Sequence, residues 1–396
     1  MQNFLSKPVN FIIPLAVAFF NVLLILFPGD IVEAARGGLL LWFNNVLPAL
    51  LPFIIGTNIL ASVGFVGFLG KLLDPVMLAL FRLPGAGGFA LVTGMMSGYP
   101  MGAKTAATLA QNGQINAAQA WRLAALCNNS GPLFVLGAVG AGLLRNIGVG
   151  YFILICHYIG ALTVGFVLAR FVRREPLPAR FPVRTDSKGT PAYSGKPSKR
   201  PRLFGEILGA SVKGAMDTIV VVGGYIILFA VIVRILDILG TFDVAQMLAQ
   251  PFLAALGIEP ALLTGILVGI IEMTNGTLRL SEPEISAQTV AALTFVVSFG
   301  GFSIHAQSAS FLARAGVRSG GYIVGKLLHG ITSATLSYFA FGLLDIYAHE
   351  AAPTFFQTSA PLLRVYATSS ALFLASVGGF IAFAAICRLF VRKRKR

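Results

Sequence analysis

"MMSGYPMGAKTAATLA", Met95 to Ala110, sits inside apolar sequence that otherwise favours helix from end to end. In quick succession Gly98, Pro100 and Gly102 interrupt that run, and Lys104 adds a charge. Backbone that leaves a helix at membrane depth exposes N–H and C=O groups, each costing several kcal/mol in hydrocarbon. It survives only where protein buries it or a water-filled cavity solvates it. The break at Gly98–Gly102 therefore predicts a turn inside a membrane protein, with a second helical arm starting at Ala103. The free N–H groups and positive dipole end of that arm face the turn and suit an anion, and Lys104 supplies a full positive charge. The plainer alternative is close helix packing through the glycines, with Lys104 reaching toward an interface.

The rest of the chain supports the membrane setting. Of its 396 residues, 56% are hydrophobic and 11% charged, against about 25% charged in a soluble protein. Several apolar stretches approach the roughly 20 residues that a spanning helix needs. The expected fold class is an all-α polytopic membrane protein embedded in a lipid bilayer. The net charge of +15 is concentrated, with ten of the 30 Lys+Arg between Arg170 and Arg202 and six between Arg388 and Arg396. Both clusters follow apolar segments, where cytoplasmic flanks are basic, so membrane orientation explains them and a nucleic-acid partner is not expected. Cys127, Cys156 and Cys387 show neither CxxC nor metal spacing, and no cofactor or metal is expected. The apolar run from Asn10 to Phe27 is expected as a retained first helix rather than a cleaved leader.

The stretch from Arg173 to Pro201 is rich in proline, charge and small polar residues and reads as a linker. On each side lie five apolar elements, at about 10–28, 38–60, 88–110, 117–143 and 147–171, then 217–239, 260–279, 286–311, 320–345 and 368–391. "ALVTGMMSG" (Ala90 to Gly98) aligns with "ALLTGILVG" (Ala261 to Gly269) at five of nine positions, and "AALCNNSGPLF" (Ala124 to Phe134) with "AALTFVVSFGGF" (Ala291 to Phe302). In the same order in each half, they indicate a duplicated unit. A basic linker and a basic tail should lie on one side of the membrane, which five crossings between them forbid. One element per half must enter and leave by the same face; the breaks at Gly98–Gly102 and Met273–Gly276 are the expected re-entrant hairpins. The repeats are then inverted, with both termini cytoplasmic. Lys71, Arg82, Arg122, Arg314, Arg318 and Lys326 are expected in inner loops.

Three further stretches carry polar groups at membrane depth. "CNNSGPLF" offers Asn128, Asn129 and Ser130 to a polar solute or hard cation, or else to interhelical hydrogen bonds. "EMTNGT" puts Glu272 beside Thr274 and Asn275. A carboxylate in a span is costly and marks function by default; pairing with Lys104, a coupling cation, a proton and a structural ion pair all remain open to it. "SFGGFSIHAQSAS" breaks a helix at Gly300–Gly301 and presents Ser298, Ser303, His305 and Gln307. Ser303, His305 and Gln307, two apart, would share a face only if unwound. His305 fits proton coupling or a hydrogen-bonded interior position. No nucleophile elbow, HExxH, Walker loop or paired carboxylate occurs, so no enzyme is expected.

In order, "SGYPMGAKTAATL", "CNNSGPLFVLGAVG", "CHYIG", "GIIEMTNG" and "FGGFSIHAQSASFL" resemble the sporulation integral membrane protein family of the YlbJ/SpoVV type. The resemblance covers nearly the whole chain except the linker and the last span. It implies two gate, or nucleoside-recognition-like, domains related to concentrative nucleoside transporters. On that basis the chain divides into an N-terminal helix and loop (1–36), a first gate repeat (37–171), a basic cytoplasmic linker (172–203), a second gate repeat (204–345), and a last helix with a basic tail (346–396). The implied activity is transport of a small organic anion, dipicolinic acid, across the outer forespore membrane from the mother cell toward the spore. The implied substrate-binding residues are Ser97, Gly98, Tyr99, Gly102, Lys104, Asn128, Asn129, Ser130, Glu272, Thr274, Asn275, Ser298, Ser303 and Gln307. Other readings are a transporter of a nucleoside or other metabolite, and a non-transporting sporulation scaffold. A coupling cation or proton and a homo-oligomer are both compatible with the sequence.

Overall fold

The structure, a computed structural model, describes residues 9–171, 203–255 and 257–343. The linker, the expected last span at 368–391 and the basic tail lie outside the described residues. The described chain is all helical. It begins with α1 (Val9–Leu26), α2 (Pro28–Leu41), α3 (Leu47–Ser62) and α4 (Phe65–Val76), with π-helical turns at Trp42–Val46 and Met77–Phe81. Then come α5 (Gly87–Ser97), α6 (Met101–Gln111), α7 (Ala117–Cys127), a π-helical segment Leu133–Leu143, and α8 (Ile147–Phe171). Past the linker are α9 (Phe204–Ile238), α10 (Thr241–Ala255), α11 (Pro260–Ile271), α12 (Met273–Leu280), α13 (Ala287–Phe299), α14 (Gly301–Arg314) and α15 (Gly320–Ala340).

Two tight hairpins organise this order. The arms of the first, α5 and α6, pack against each other around Gly98, and a Cβ on Gly94 would sit 3.0 Å from Gly102 Cα. The second, α11 and α12, turns at Glu272, and a Cβ on Gly276 would sit 2.2 Å from Gly269 Cα. The α5 and α6 arms have 11 residues each, or about 16 Å at 1.5 Å per residue, half of a hydrocarbon core about 30 Å thick. Arms that short cannot cross it singly; the first chain reversal falls at the expected break, whereas the second falls at Glu272, and the expected break at Met273–Gly276 is instead the start of α12.

Each hairpin tip rests on the interruption of the helix that follows. Gly98, at φ +85°, lies against Gly131 so closely that a Cβ would be 2.8 Å from the Gly131 nitrogen. Gly301, at φ +75°, lies against the Gly269 carbonyl oxygen and the Met273 nitrogen of the second tip at 2.8 and 3.1 Å by the same measure. Only glycine permits such backbone contact with φ positive. The duplicated order is therefore visible as hairpin, interrupted helix, then uninterrupted helix (α8 or α15) in both halves. The sequence alignment places Gly98 over Gly269, whereas the hairpin tips are Gly98 and Glu272. The second tip lies three residues after Gly269, so the alignment found the right element in a register about one turn off.

Among the described residues, three helical stretches are long and apolar enough to cross a bilayer, Ile147–Phe171, Phe204–Ile238 and Ala287–Arg314; α13 and α14 form the last. Two bent pairs add to these, Pro14–Leu26 with Pro28–Asn44 at 102° and Leu50–Ser62 with Phe65–Phe81 at 85°. The element expected at 38–60 is thus divided between α2, a π-turn and α3, and the one expected at 217–239 begins earlier, at Phe204. α15 has 21 residues, about 31 Å, but its composition is too polar to pass as a span. Lys326, His329, Ser333 and Ser337 form a buried stripe along it, while Val324, Leu327, Leu328, Ile331 and Phe339 face outward. That is an amphipathic helix turned inside out, polar toward protein and apolar toward lipid. Lys326, expected in an inner loop, is instead fully buried in this helix. Arg122 is buried in α7, where its guanidinium donates to the Phe81 carbonyl at 2.6 Å. In both cases a lone cation in apolar text was assigned to a loop when the interior supplied acceptors for it.

Candidate functional site

A cavity of about 1050 Å³ opens between the two hairpins. Ser97, Gly98 and Tyr99 of the first tip line it, as do Ser130 and Gly131 of the first interruption. From the second half come Glu272, Thr274 and Asn275 of the second tip, with Ser303 and Gln307 of α14. Most of the remaining wall is apolar, from α2, α3, α9 and the π-segment. An apolar chamber with a few convergent polar groups is the usual form of a small-molecule site, and this one is at the large end of the usual range.

The tips are fixed by their own hydrogen bonds. Glu272 ends α11 in extended conformation and caps α12, its carboxylate accepting from the backbone N–H of Thr274 at 3.1 Å and of Asn275 at 2.8 Å. A carboxylate at a helix N-terminus is held by charge-assisted bonds and the dipole together. Two accepted bonds leave lone pairs free toward the cavity. Tyr99 crosses between the halves, its ring against Gly300 and its hydroxyl shared between the carbonyls of Val297 at 3.2 Å and Ser298 at 3.0 Å.

Other expected site residues lie outside the lining. Lys104 does not pair with Glu272; its ammonium donates to the Thr218 hydroxyl at 2.7 Å and ties α6 to α9. The pairing fails because Glu272 is held by its own helix and Lys104 points toward α9. Gly102 is a packing glycine, where a Cβ would meet the Cys127 carbonyl oxygen at 2.3 Å. Asn128 and Asn129 are fully buried behind the wall: Asn128 accepts from the Ala103 N–H and donates to the Ser308 and Tyr322 hydroxyls. Ser298 sits beside His157, Oγ to Nδ1 at 2.7 Å. The helix resumes at Gly301, before Ser303, so Ser303 and Gln307 share a face one turn apart toward the cavity. His305 instead turns to the Tyr322 hydroxyl at 3.3 Å. An unwound stretch is not needed to bring the cavity-facing pair together.

Two groups of polar residues at or behind the cavity wall escaped the sequence reading. At one side of the cavity Arg234 and Arg279 line the wall with Asp237; Arg279 binds Asp237 at 2.9 Å, and Arg234 binds Asp237 at 3.4 Å and also Asp30. These pairs join α2, α9 and α12 across the cavity wall. Arg279 lies in the last turn of α12, the helix that Glu272 caps. Behind the Ser130 wall, Lys326, His329 and His157 form a buried polar knot with Asn128 and Asn129. Its signal was the polar stripe at 326, 329, 333 and 337, spaced three, four and four residues in apolar text.

The fold and the site together define a multi-pass α-helical membrane protein with a solute-sized cavity walled by hairpin tips and broken helices. The family model Gate, described as nucleoside recognition, matches residues 43–143. Over 337 residues the chain is 36% identical to the sporulation integral membrane protein YlbJ of Bacillus subtilis (strain 168), covering 83% of this chain and 82% of that protein. The chain belongs to the sporulation integral membrane protein YlbJ family. No solved structure matches it with statistical significance.

Proposed function

We propose that this chain is a secondary-type transporter of a small organic anion, dipicolinic acid, moved from the mother cell toward the forespore during sporulation. The observation that carries the reading is the cavity at the meeting of two hairpin tips and two broken helices, the place where secondary transporters built from inverted repeats bind solute. Its apolar wall suits a planar pyridine ring, and the hydroxyl-bearing residues around the tips suit carboxylates. The relative's name supplies the sporulation setting, and the resemblance to the YlbJ/SpoVV type supplies the substrate. The reading is non-enzymatic. Coupling to a cation or a proton fits the oxygen-rich tip at Glu272–Asn275 equally well. The Gate description favours one second reading, a nucleoside or similar metabolite as the solute.

Calorimetry on the purified full chain tests this, with dipicolinate and a panel of nucleosides titrated in turn. Saturable heat with dipicolinate and none with nucleosides is expected; the reverse pattern gives the second reading. A scaffold would bind neither and would lose function on deletion of the linker at 172–203 rather than on changes at the tips.

The inverted topology carries its own expected result. With the basic linker and tail cytoplasmic, a cysteine replacing Ser187 should be shielded from an impermeant thiol label added outside cells, and one replacing Glu282 should react. Labelling at Ser187 from outside, with the tail near Lys395 still shielded, would put linker and tail on opposite faces and break the parity on which the inversion rests.

A further inference from the structure

The cavity wall carries two guanidinium groups, Arg234 and Arg279, and two carboxylates, Asp237 and Glu272. Their formal charges cancel, so the lining by itself gives no reason to prefer an anion. The sign is decided one layer back.

Lys326 is fully buried on α15. Its Nζ lies 2.8 Å from the Asn128 carbonyl oxygen, 3.3 Å from Asn129 Oδ1 and 2.7 Å from His329 Nδ1. Each of these can be assigned as an acceptor. A backbone carbonyl has no proton to give. Asn129 directs its amide nitrogen to the Leu126 carbonyl at 2.9 Å, which turns its oxygen to the lysine. His329 Nε2 lies 2.7 Å from the His157 carbonyl oxygen and must carry the proton there, which leaves a lone pair on Nδ1. Three acceptors around one nitrogen require three N–H donors, so the geometry holds Lys326 as an ammonium. His157 is assigned the same way: its Nε2 accepts from the Ser130 N–H at 3.0 Å, so its Nδ1 donates to Ser298 Oγ, and it is neutral. Among the described residues, no carboxylate lies within ion-pair distance of Lys326.

A buried charge without a counter-charge costs several kcal/mol. Only a thin wall separates this one from the cavity. The Tyr99 ring, whose centroid is 5.1 Å from Nζ, and the Asn129–Ser130 backbone stand between, and both Tyr99 and Ser130 line the cavity. The Ser130 hydroxyl is buried, and its oxygen has no hydrogen-bond partner among the described residues. An unpartnered donor thus lies buried on a residue that lines the cavity.

We propose that Lys326 is the anion-selecting residue of the cavity, a fixed buried ammonium whose counter-charge is a carboxylate of the solute seated on the Ser130 hydroxyl. Lys326 acts through the wall and does not touch the solute; it is a positioning residue, and Ser130 is the contact. The assignment rests on the reading of this cavity as the site of an organic anion, and it adds the group that makes the site discriminate charge. Lys104 lies outside that arrangement, on the Thr218 side of α6.

The test compares two probes of one shape, pyridine-2,6-dicarboxylate and the neutral pyridine-2,6-dicarboxamide, by calorimetry on the full chain. Wild type should prefer the dicarboxylate. Lys326→Gln keeps two N–H donors for the three acceptors and removes the charge; it should weaken the dicarboxylate roughly tenfold or more, the order of a charge–charge attraction across a thin wall of low dielectric, and leave the dicarboxamide nearly unchanged. Ser130→Ala removes only the unpartnered hydroxyl and leaves the Ser130 N–H on His157, so it tests the same subsite should Lys326→Gln fail to fold; it should weaken the dicarboxylate several-fold. Equal loss for both probes in Lys326→Gln would reduce the lysine to a structural role, and an unchanged dicarboxylate affinity in either variant would overturn the assignment while the cavity reading stands. Wild type that binds neither probe would overturn the cavity reading, and the assignment with it.

Discussion

Gly276→Ala is expected to deprive the protein of its folded form. An alanine Cβ there would lie 2.2 Å from Gly269 Cα, 2.5 Å from the Gly269 nitrogen and 3.0 Å from the Gly265 carbonyl oxygen. Every one of these atoms is backbone, so no rotamer change can make room. Extra volume in a packed core usually costs about 1–3 kcal/mol and occasionally more. With backbone on both sides, the arms of the second hairpin must separate, which carries Glu272 off the cavity wall and unseats Gly301 from the tip. The yield of monodisperse protein and the melting temperature in detergent should fall together. Gly224→Ala, on α9 with no atom within 4 Å of the added Cβ, is the control. It should melt at or above the wild-type temperature, because alanine in a helix is favoured over glycine by about 1 kcal/mol. A Gly276→Ala protein as stable as wild type would mean that α11 and α12 do not close on each other as described.

The same glycines show what the sequence made legible. The breaks expected at Gly98–Gly102 and Met273–Gly276 stood out because helix breakers are costly at membrane depth, and each lies at a hairpin, although the second turn is at Glu272 and Gly276 sits inside α12 as a packing glycine. The pairing of hairpin with interrupted helix was legible too, since the matched strings in the two halves keep their order. What the strings could not give was direction around a helix. Lys104 was read as facing the turn because it follows the turn closely in sequence, yet α6 carries it toward Thr218. Lys326 was read as a loop residue because a lone lysine near an arginine-rich stretch resembles a cytoplasmic flank. Its three acceptors come from Asn128 and Asn129, almost two hundred residues away, and from His329, and only the fold brings them together. Arg234 and Arg279 were invisible for a related reason, since their partner Asp237 sits at the end of a different apolar run from Arg279 and matters only once α9 and α12 meet. Single-sequence reading found the breaks that shape the chamber. Long-range packing decided which charges face it.

Glu272→Gln should impair transport far more than it lowers abundance. The carboxylate accepts from the N–H groups of Thr274 and Asn275 through its two oxygens. Glutamine keeps one oxygen and presents an NH₂ where the other stood, so one of the two donors faces a donor and the tip must shift. Hydrogen bonds to charged groups contribute about 1.5–3 kcal/mol against about 0.5–1.5 for neutral ones, and the favourable charge at the α12 N-terminus is lost as well. That loosens eight residues of α12 at the cavity wall, while α11 and the interrupted helix behind it keep their packing. The fold should persist with the tip displaced. Uptake of labelled dipicolinate into proteoliposomes should fall at least about tenfold, as a loss of 1.4 kcal/mol at the binding step would give. Protein per vesicle and melting temperature should stay near wild type. Glu272→Asp, which retains the charge on a shorter stem, should recover part of the rate if charge at the tip is what counts, and little if reach is. Normal uptake by Glu272→Gln at wild-type abundance would confine Glu272 to capping α12 and remove it from the transport site.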